Sequence, residues 1–213
     1  MIKIKDLIKD KKIDENSTQY PIIANVARSY NLDRMTEEFI DKHGKCNIVN
    51  LGVGLETSYY RIDGKNALFF EVDLHEVIEL REKYFEPGLI EKFIKGDLFK
   101  LDWYNELDTT LSTLLIVAGV FQYFHEKDVA EFIENVKDIF ENAEMIFEAA
   151  NRFGNIYCSF YVKRTGNKSA RMYFYIEDEF AQKVNCQLIE CRGFYKDTLR
   201  MLDKKWGYIQ ELP

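Results

Sequence analysis

The chain alternates short apolar runs with amphipathic stretches, a pattern typical of an α/β protein. Five runs rich in apolar residues are short enough to predict buried strands: 48–51, 67–72, 89–95, 114–117 and 145–147. Apolar residues recur every three or four positions over 75–85 and 129–140, which predicts helices between the strands. Because strands separated by helices pair in parallel, we expect a mostly parallel sheet with helices on both faces.

The two ends of the chain are expected to extend this core. Residues 1–12 predict an amphipathic helix, and residues 22–43 predict two short helices that are interrupted near Asn31 and stopped by Gly44. Near the other end, a helix at 199–203 is expected between two further strands, 187–191 and 207–211. These strands would end the sheet with an antiparallel C-terminal strand and bring the total to seven strands.

Length and composition favour one domain. A chain of 213 residues with 46% hydrophobic residues can bury one core comfortably, but not two. We expect a single domain over 1–213, with 1–44 as a helical cover and 45–213 as the core. No apolar run approaches the length of a membrane span and no signal-like leader opens the chain, which predicts a soluble, cytoplasmic protein with no membrane partner.

Charge and cysteine spacing limit the possible partners. A net charge of −7 disfavours nucleic acid, because phosphates are bound through a basic surface. The four cysteines lack Cys-x-x-Cys spacing and the three histidines add few ligands, so we expect no metal and reduced, mostly buried thiols. An oligomer is possible, but its state cannot be predicted from the sequence. A small molecule is the expected partner.

The first two strands carry the candidate chemistry. The first ends abruptly in a Gly-x-Gly turn, where Gly52 and Gly54 let the backbone approach a ligand closely because they lack Cβ atoms. Residues 55–61 are expected to form a short helix beside that ligand. The second strand carries Glu71 and Asp73 on one face. An acid at this strand end can accept both ribose hydroxyls, with Asp73 as first candidate and Glu71 as second.

Gly-x-Gly followed about 20 residues later by an acid fits a dinucleotide site as well as an S-adenosylmethionine site. Thr57 replaces the third glycine of the dinucleotide fingerprint, and Glu56 stands beside it where a pyrophosphate needs a bare helix N-terminus. S-adenosylmethionine has no phosphate and tolerates this arrangement. We therefore favour S-adenosylmethionine as the cofactor; a loop glycine pair in an ordinary α/β protein is the alternative.

Two segments resemble the leucine carboxyl methyltransferase family, including its bacterial branch of tetracenomycin-type polyketide O-methyltransferases: NLGVGLETSYYRID at 50–63 and FFEVDLHEVIELR at 69–81. The family pattern is N-L-G-x-G-x-D-T and then D/E-V-D-x-P. The resemblance extends from about residue 26 to about residue 178. It implies a Rossmann-like class I methyltransferase fold, S-adenosylmethionine as methyl donor and adenosylhomocysteine as product.

The resemblance also implies roles for individual residues. Arg28 aligns with the arginine of the family's R-x-x-x-x-D and would clamp the methionine carboxylate of the cofactor. Asp97, with Leu98 beside it, would meet the adenine amino group, although a turn aspartate that satisfies local N–H groups is an equal alternative. Ala118 stands where the family usually has a glutamate near the transferred methyl group. Family members insert a cover over the acceptor at the position of residues 151–178.

Methyl transfer from a sulfonium is an in-line displacement, which mainly requires alignment in a dry pocket. A carboxylate acceptor is already nucleophilic near neutral pH, whereas a phenol, with a pKa of about 10, benefits from a general base. His125 is the candidate base, with helix initiation as its more ordinary role. Tyr123 is the other candidate near the reaction and, like Phe121, is better suited to a pocket wall than to chemistry.

Three functions remain open. The favoured one is O-methylation of a small organic acid or a phenolic, polyketide-like acceptor, for which Ala118 leaves room. A catalytically silent S-adenosylmethionine-binding protein is the first alternative, because the resemblance implies a longer segment ahead of Arg28 and because Glu56, Ser58, His75 and Ala118 depart from the family pattern. A nicotinamide oxidoreductase is less favoured, since no hydride-site motif is recognisable.

Overall fold

A computed structural model describes residues 19–64, 66–164, 171–177 and 179–193. Three of the predicted elements lie outside these residues: the helices at 1–12 and 199–203 and the strand at 207–211.

A parallel sheet forms the centre of the described structure. Its strands are β1 Cys46–Leu51, β2 Ala67–Asp73, β3 Glu91–Lys95, β4 Thr113–Val117 and β5 Ala143–Phe147. They lie in the order β3-β2-β1-β4-β5, and every neighbouring pair is parallel. The five predicted strands and the Rossmann-like α/β class are confirmed. Because the strand order reverses between β1 and β4, a crevice opens where these two strands end.

Five helices accompany the sheet within the described residues: α1 Gln19–His43, α2 His75–Arg81, α3 Glu126–Ile139, α4 Arg152–Arg164 and α5 Phe180–Lys183. Successive β1 side chains pack on opposite faces of the sheet, as the pleat requires. Ile48 joins a cluster with Phe39 of α1, whereas Val49 joins a cluster with Phe132 of α3. Every residue of β1 is buried, which explains why four of its six residues are apolar.

The prediction of two short helices over 22–43 is wrong, because α1 runs through this region without a break. Asn31 is buried within α1, so packing against the core outweighs its low helix propensity. The predicted stop is confirmed: Gly44 adopts φ +68°, and its N–H donates to the Ile40 carbonyl at 2.8 Å.

Three further predictions are corrected. Residues 55–61 form only a short 3₁₀ turn, Ser58–Tyr60, in place of a helix start. Residues 187–191 have no regular secondary structure, since Leu188 and Ile189 are exposed and gain no burial from pairing. The cysteines are free, but only Cys46 is buried, so the expectation of mostly buried thiols is wrong.

Within the described ranges, no helix is long and apolar enough to cross a membrane. The same ranges hold no group of three or more His, Cys, Asp or Glu side chains that could bind a metal ion.

Candidate ligand-binding site

A cavity of about 320 Å³ lies where β1 and β4 end. Its volume falls in the range of small-molecule sites. The lining comes from α1, from β1 and the loop after it, and from β4: Arg28, Asn50, Leu51, Gly52, Val53, Leu55, Glu56, Ile116 and Ala118. The fold therefore brings together three residues that the sequence analysis singled out from distant segments, Arg28, Gly52 and Ala118.

The turn after β1 depends on its glycines. Gly52 adopts φ +70° and Gly54 adopts φ +52°, a region that side-chain-bearing residues rarely occupy. A Cβ atom on Gly52 would lie 2.5 Å from Cγ2 of Val120, so this position also excludes a side chain by contact. The N–H groups of Gly52 and Val53 both donate to the Val72 carbonyl, at 2.9 and 3.2 Å. The turn thus folds back over the end of β2.

Asp73 is fixed against this turn. The Gly54 N–H donates to Oδ2 of Asp73 at 2.8 Å, and the Leu74 N–H donates to Oδ1 at 2.8 Å. Each carboxylate oxygen has a second acceptor position. Asp73 does not itself line the cavity, but it is only partly buried, so those positions are open to hydroxyl donors from a ligand that extends towards the end of β2.

Glu71, the second candidate for the ribose, lies beneath the cavity and does not line it. It is 1% exposed, and Oε1 accepts a hydrogen bond from Asn50 at 3.2 Å, while Oε2 has no protein partner in the structure. Burial raises the pKa of Glu71 to about 8. Glu71 is therefore mainly a neutral carboxylic acid at neutral pH. It contacts the cavity only through Asn50, which lines the cavity and donates to Glu71.

Arg28 forms an ion pair that the sequence analysis missed. Its Nη1 atom lies 3.4 Å from Oε1 of Glu148, the residue that directly follows β5. A Cβ atom on Gly119 would lie 3.4 Å from Arg28 Nη1 and 3.7 Å from Glu148 Oε1, so the pair lies over Gly119, next to Ala118. Burial raises the pKa of Glu148. A carboxylate from the end of the neighbouring strand thus lies close to Gly119 and Ala118.

Glu56 is the acidic residue among those that line the cavity. Its Oε1 accepts hydrogen bonds from the Thr57 N–H at 2.7 Å and from Arg61 Nη2 at 2.8 Å. Burial alone would raise the pKa of Glu56, but these two donors lower it overall. Arg61 also binds both carboxylate oxygens of Asp33 on α1, at 2.6 and 2.9 Å. The cavity therefore presents separate cationic and anionic groups, Arg28 and Glu56.

The segment after β3 forms a turn outside the lining of the cavity. Asp97 accepts a hydrogen bond from the Phe99 N–H at 3.0 Å and caps the 3₁₀ helix Leu98–Lys100, which is the alternative role named for it above. Leu98 packs against the hydrophobic cluster that contains Phe132 of α3, and its carbonyl accepts a hydrogen bond from Trp103. Neither residue lines the cavity.

The two candidate catalytic residues also lie apart from the cavity. His125 precedes α3, its backbone N–H donates to Asp128 Oδ2 at 3.2 Å, and its exposed ring packs 4.2 Å from the ring of Tyr173. Tyr123 is 40% exposed and does not line the cavity either. Phe121 is fully buried in the core, so its expected role as a pocket wall is wrong.

Sequence signals for the missed residues exist but are weak. Glu148 directly follows an apolar run, as an acid at the carboxyl end of a parallel strand would. Asn50 is a polar residue between the apolar Val49 and Leu51 near the end of a predicted buried strand. Both features are common enough in proteins that only the three-dimensional arrangement connects them to the cavity.

Solved structures share this fold at low sequence identity. Magnesium protoporphyrin IX methyltransferase from Synechocystis PCC 6803 superposes with a TM-score of 0.53 at 13% identity, over 84% of this chain and 80% of that one. An O-methyltransferase family protein from Burkholderia thailandensis gives 0.50 at 11% identity, over 76% and 53%. The chain therefore has the Rossmann-like methyltransferase fold.

The sequence identifies the family. Residues 3–137, more than half of the chain, match the family model of leucine carboxyl methyltransferases, and the chain belongs to this family. It is 24% identical to the tetracenomycin polyketide synthesis O-methyltransferase TcmP of Streptomyces glaucescens, over 57% of this chain and 46% of the relative. It is 24% identical to leucine carboxyl methyltransferase 1 of Debaryomyces hansenii, over 62% and 47%. The chain spans about half the length of these relatives.

The buried Glu71 predicts a pH dependence of stability. The folded protein holds its proton up to about pH 8, whereas the unfolded chain releases it near 4.5, so the folded state binds the extra proton between these values. The free energy of unfolding should therefore fall as pH rises through this interval, relative to Glu71→Gln, with a slope approaching about 1.4 kcal/mol per pH unit.

Urea unfolding of both proteins at pH 5, 6, 7 and 8 measures this difference. Parallel stability curves for the wild type and Glu71→Gln would show that Glu71 ionises alike in the folded and unfolded chains.

Proposed function

We propose that this protein is an S-adenosylmethionine-dependent O-methyltransferase and that the cavity at the ends of β1 and β4 holds the cofactor. The observation that carries the proposal is the glycine turn: Gly52 and Val53 line the cavity, and the N–H of the next residue, Gly54, fixes the Asp73 carboxylate. Family membership supports the same activity. S-adenosylmethionine supplies an electrophilic methyl group, and the protein has to bind it and align it with an acceptor.

Asp73 holds the ribose in this proposal. Both of its oxygens are already oriented by backbone N–H groups, and their remaining acceptor positions suit a pair of vicinal hydroxyls. Because the carboxylate is fixed before the ligand arrives, little side-chain entropy is lost on binding. Asp97 and Leu98 remain the proposed neighbours of the adenine, at the next strand end of the same sheet edge.

The charges of the cavity suit the methionine part of the cofactor, which carries a carboxylate, an ammonium and a sulfonium. Arg28 offers a guanidinium for the carboxylate. Glu56 offers a carboxylate to the positive groups. The same Glu56 carboxylate would repel a pyrophosphate, and its Thr57 N–H partner is already occupied, so the geometry disfavours a nicotinamide dinucleotide.

The acceptor is a small organic acid or a phenol in this proposal. Ala118 is small and leaves space at the end of β4, beside the Arg28–Glu148 pair. Because His125 and Tyr123 lie away from the cavity, an acceptor that is already ionised fits best, and a carboxylate meets that requirement at neutral pH. The residues around the cavity then act by binding, orienting and excluding water. We further propose that the acceptor side is covered by the 151–178 segment, within one domain.

Gly54 tests the cofactor site with a matched control. Gly44 and Gly54 both have positive φ, and a Cβ on either meets nothing within 4 Å. Alanine at each position should therefore cost a similar strain of about 1–2 kcal/mol. Gly54 lies between Val53 and Leu55, which line the cavity, whereas Gly44 follows the end of α1. In this proposal only Gly54→Ala places its methyl group near the cofactor, so this variant alone should lose affinity for adenosylhomocysteine, by at least about tenfold in calorimetry. Equal affinities of the two variants would remove the turn from the cofactor site.

Methyl transfer tests the activity. Purified protein with S-adenosylmethionine labelled in its methyl group should label small carboxylic acids, and phenols more slowly, when offered pools of each. Gly54→Ala, with its weakened cofactor binding, should label less at low S-adenosylmethionine concentration. Labelling of a protein tail alone would contradict the small acceptor. Tight cofactor binding without transfer to any pool would instead support a catalytically silent binding protein.

A further inference from the structure

Arg81 is a buried cation that the binding site described above does not use directly. It is the last residue of α2, and its side chain is fully buried. Removing a guanidinium from water is costly unless pairing and hydrogen bonds compensate for the lost solvation. Its partners therefore indicate what the charge does.

Arg81 binds the backbone of the loop after β1. Its Nη1 atom donates to the Glu56 carbonyl at 2.8 Å and to the Gly54 carbonyl at 3.2 Å. Its Nη2 atom donates to Oε1 of Glu91 at 3.4 Å, and the other oxygen of Glu91 accepts the Gly88 N–H at 3.0 Å. The guanidinium is thus fixed on one side by an anchored carboxylate and on the other by two loop carbonyls.

Aromatic rings hold the guanidinium in this position. Its central carbon lies 4.6 Å from the ring centroid of Phe85 and 4.9 Å from that of Phe93. Such contacts favour arginine, because its planar cation packs on ring faces and its fork serves two carbonyls at once. Lysine offers a single ammonium and cannot reproduce this geometry.

The two carbonyl bonds determine what the loop presents to the cavity. In a planar trans peptide the N–H points opposite to the C=O. Because the carbonyls of Gly54 and Glu56 turn towards Arg81, the N–H groups of Leu55 and Thr57 turn away from it. Leu55 and Glu56 line the cavity, and the Thr57 N–H orients the Glu56 carboxylate. Arg81 therefore orients groups that line the cavity, although Arg81 itself does not line it.

We propose that Arg81 is a positioning residue for cofactor binding: it holds segment 54–56 so that Gly54 meets Asp73 and Glu56 faces the cavity. The inference rests on the proposed function, because it assumes that this cavity holds the cofactor. Arg81 touches no ligand in this arrangement and acts only through the loop backbone.

The test compares the affinity for adenosylhomocysteine with thermal stability, under conditions where circular dichroism shows every variant folded. Arg81→Lys keeps the charge but loses the fork and should weaken binding about tenfold. Arg34→Lys, an exposed arginine of α1 away from the cavity, is the matched control and should bind as the wild type does. Glu91→Gln leaves both carbonyl bonds possible and should lower the melting temperature while weakening binding less than about threefold.

A double variant keeps the test decisive if Arg81→Lys does not fold. Arg81→Gln with Glu91→Gln removes both buried charges together, which leaves neither unpaired. It should bind about tenfold more weakly than the wild type, as predicted for Arg81→Lys. Wild-type affinity in a folded Arg81 variant would overturn the positioning role alone, and so would an equal loss in Glu91→Gln. Failure of the wild type itself to bind adenosylhomocysteine would overturn the proposed function and this inference with it.

Discussion

The loop after β1 is held between a carboxylate and a guanidinium, and the candidate site depends on this arrangement. Asp73 accepts the Gly54 N–H on one side, and Arg81 donates to the carbonyls of Gly54 and Glu56 on the other. Both anchors come from the same stretch of chain, since Asp73 ends β2 and Arg81 ends the helix that follows. The parallel pairing of β1 and β2 brings this stretch beside the loop.

The residues around the anchored loop include charged groups that are buried in the protein. Arg81 and Glu91 are both fully buried as side chains, and Glu71 lies nearby with one unpartnered oxygen. An apolar cluster of similar volume would stabilise a fold at least as well, so such a network is better explained by the geometry it imposes than by stability. Here that geometry includes the orientation of Asn50 and Glu56, which line the cavity.

Much of the fold could be predicted from the sequence because buried parallel strands are rich in apolar residues, as β4 shows by its unbroken run from Leu114 to Val117. The glycine turn was equally readable, since its positive φ values demand glycine. The continuous helix α1 was missed because the burial of Asn31 depends on tertiary packing that local propensity does not register. A strand at 187–191 was wrongly expected, since every residue there is exposed.

The sequence predicted residues of the site only where a local motif marks them. Gly52, Arg28 and Ala118 line one cavity, but Glu148 and Arg81 entered no prediction, because their roles depend on partners 120 and about 25 residues away. Conversely, His125 matched a plausible chemistry yet lies outside the cavity, because residue type alone does not determine where a side chain points.

A crystal structure with adenosylhomocysteine tests the central claim most directly. We predict ribose hydroxyls within hydrogen-bonding distance of both Asp73 oxygens, and the ligand carboxylate against Arg28. A ligand bound elsewhere on the protein, or an empty crevice between β1 and β4 at saturating adenosylhomocysteine, would contradict the claim.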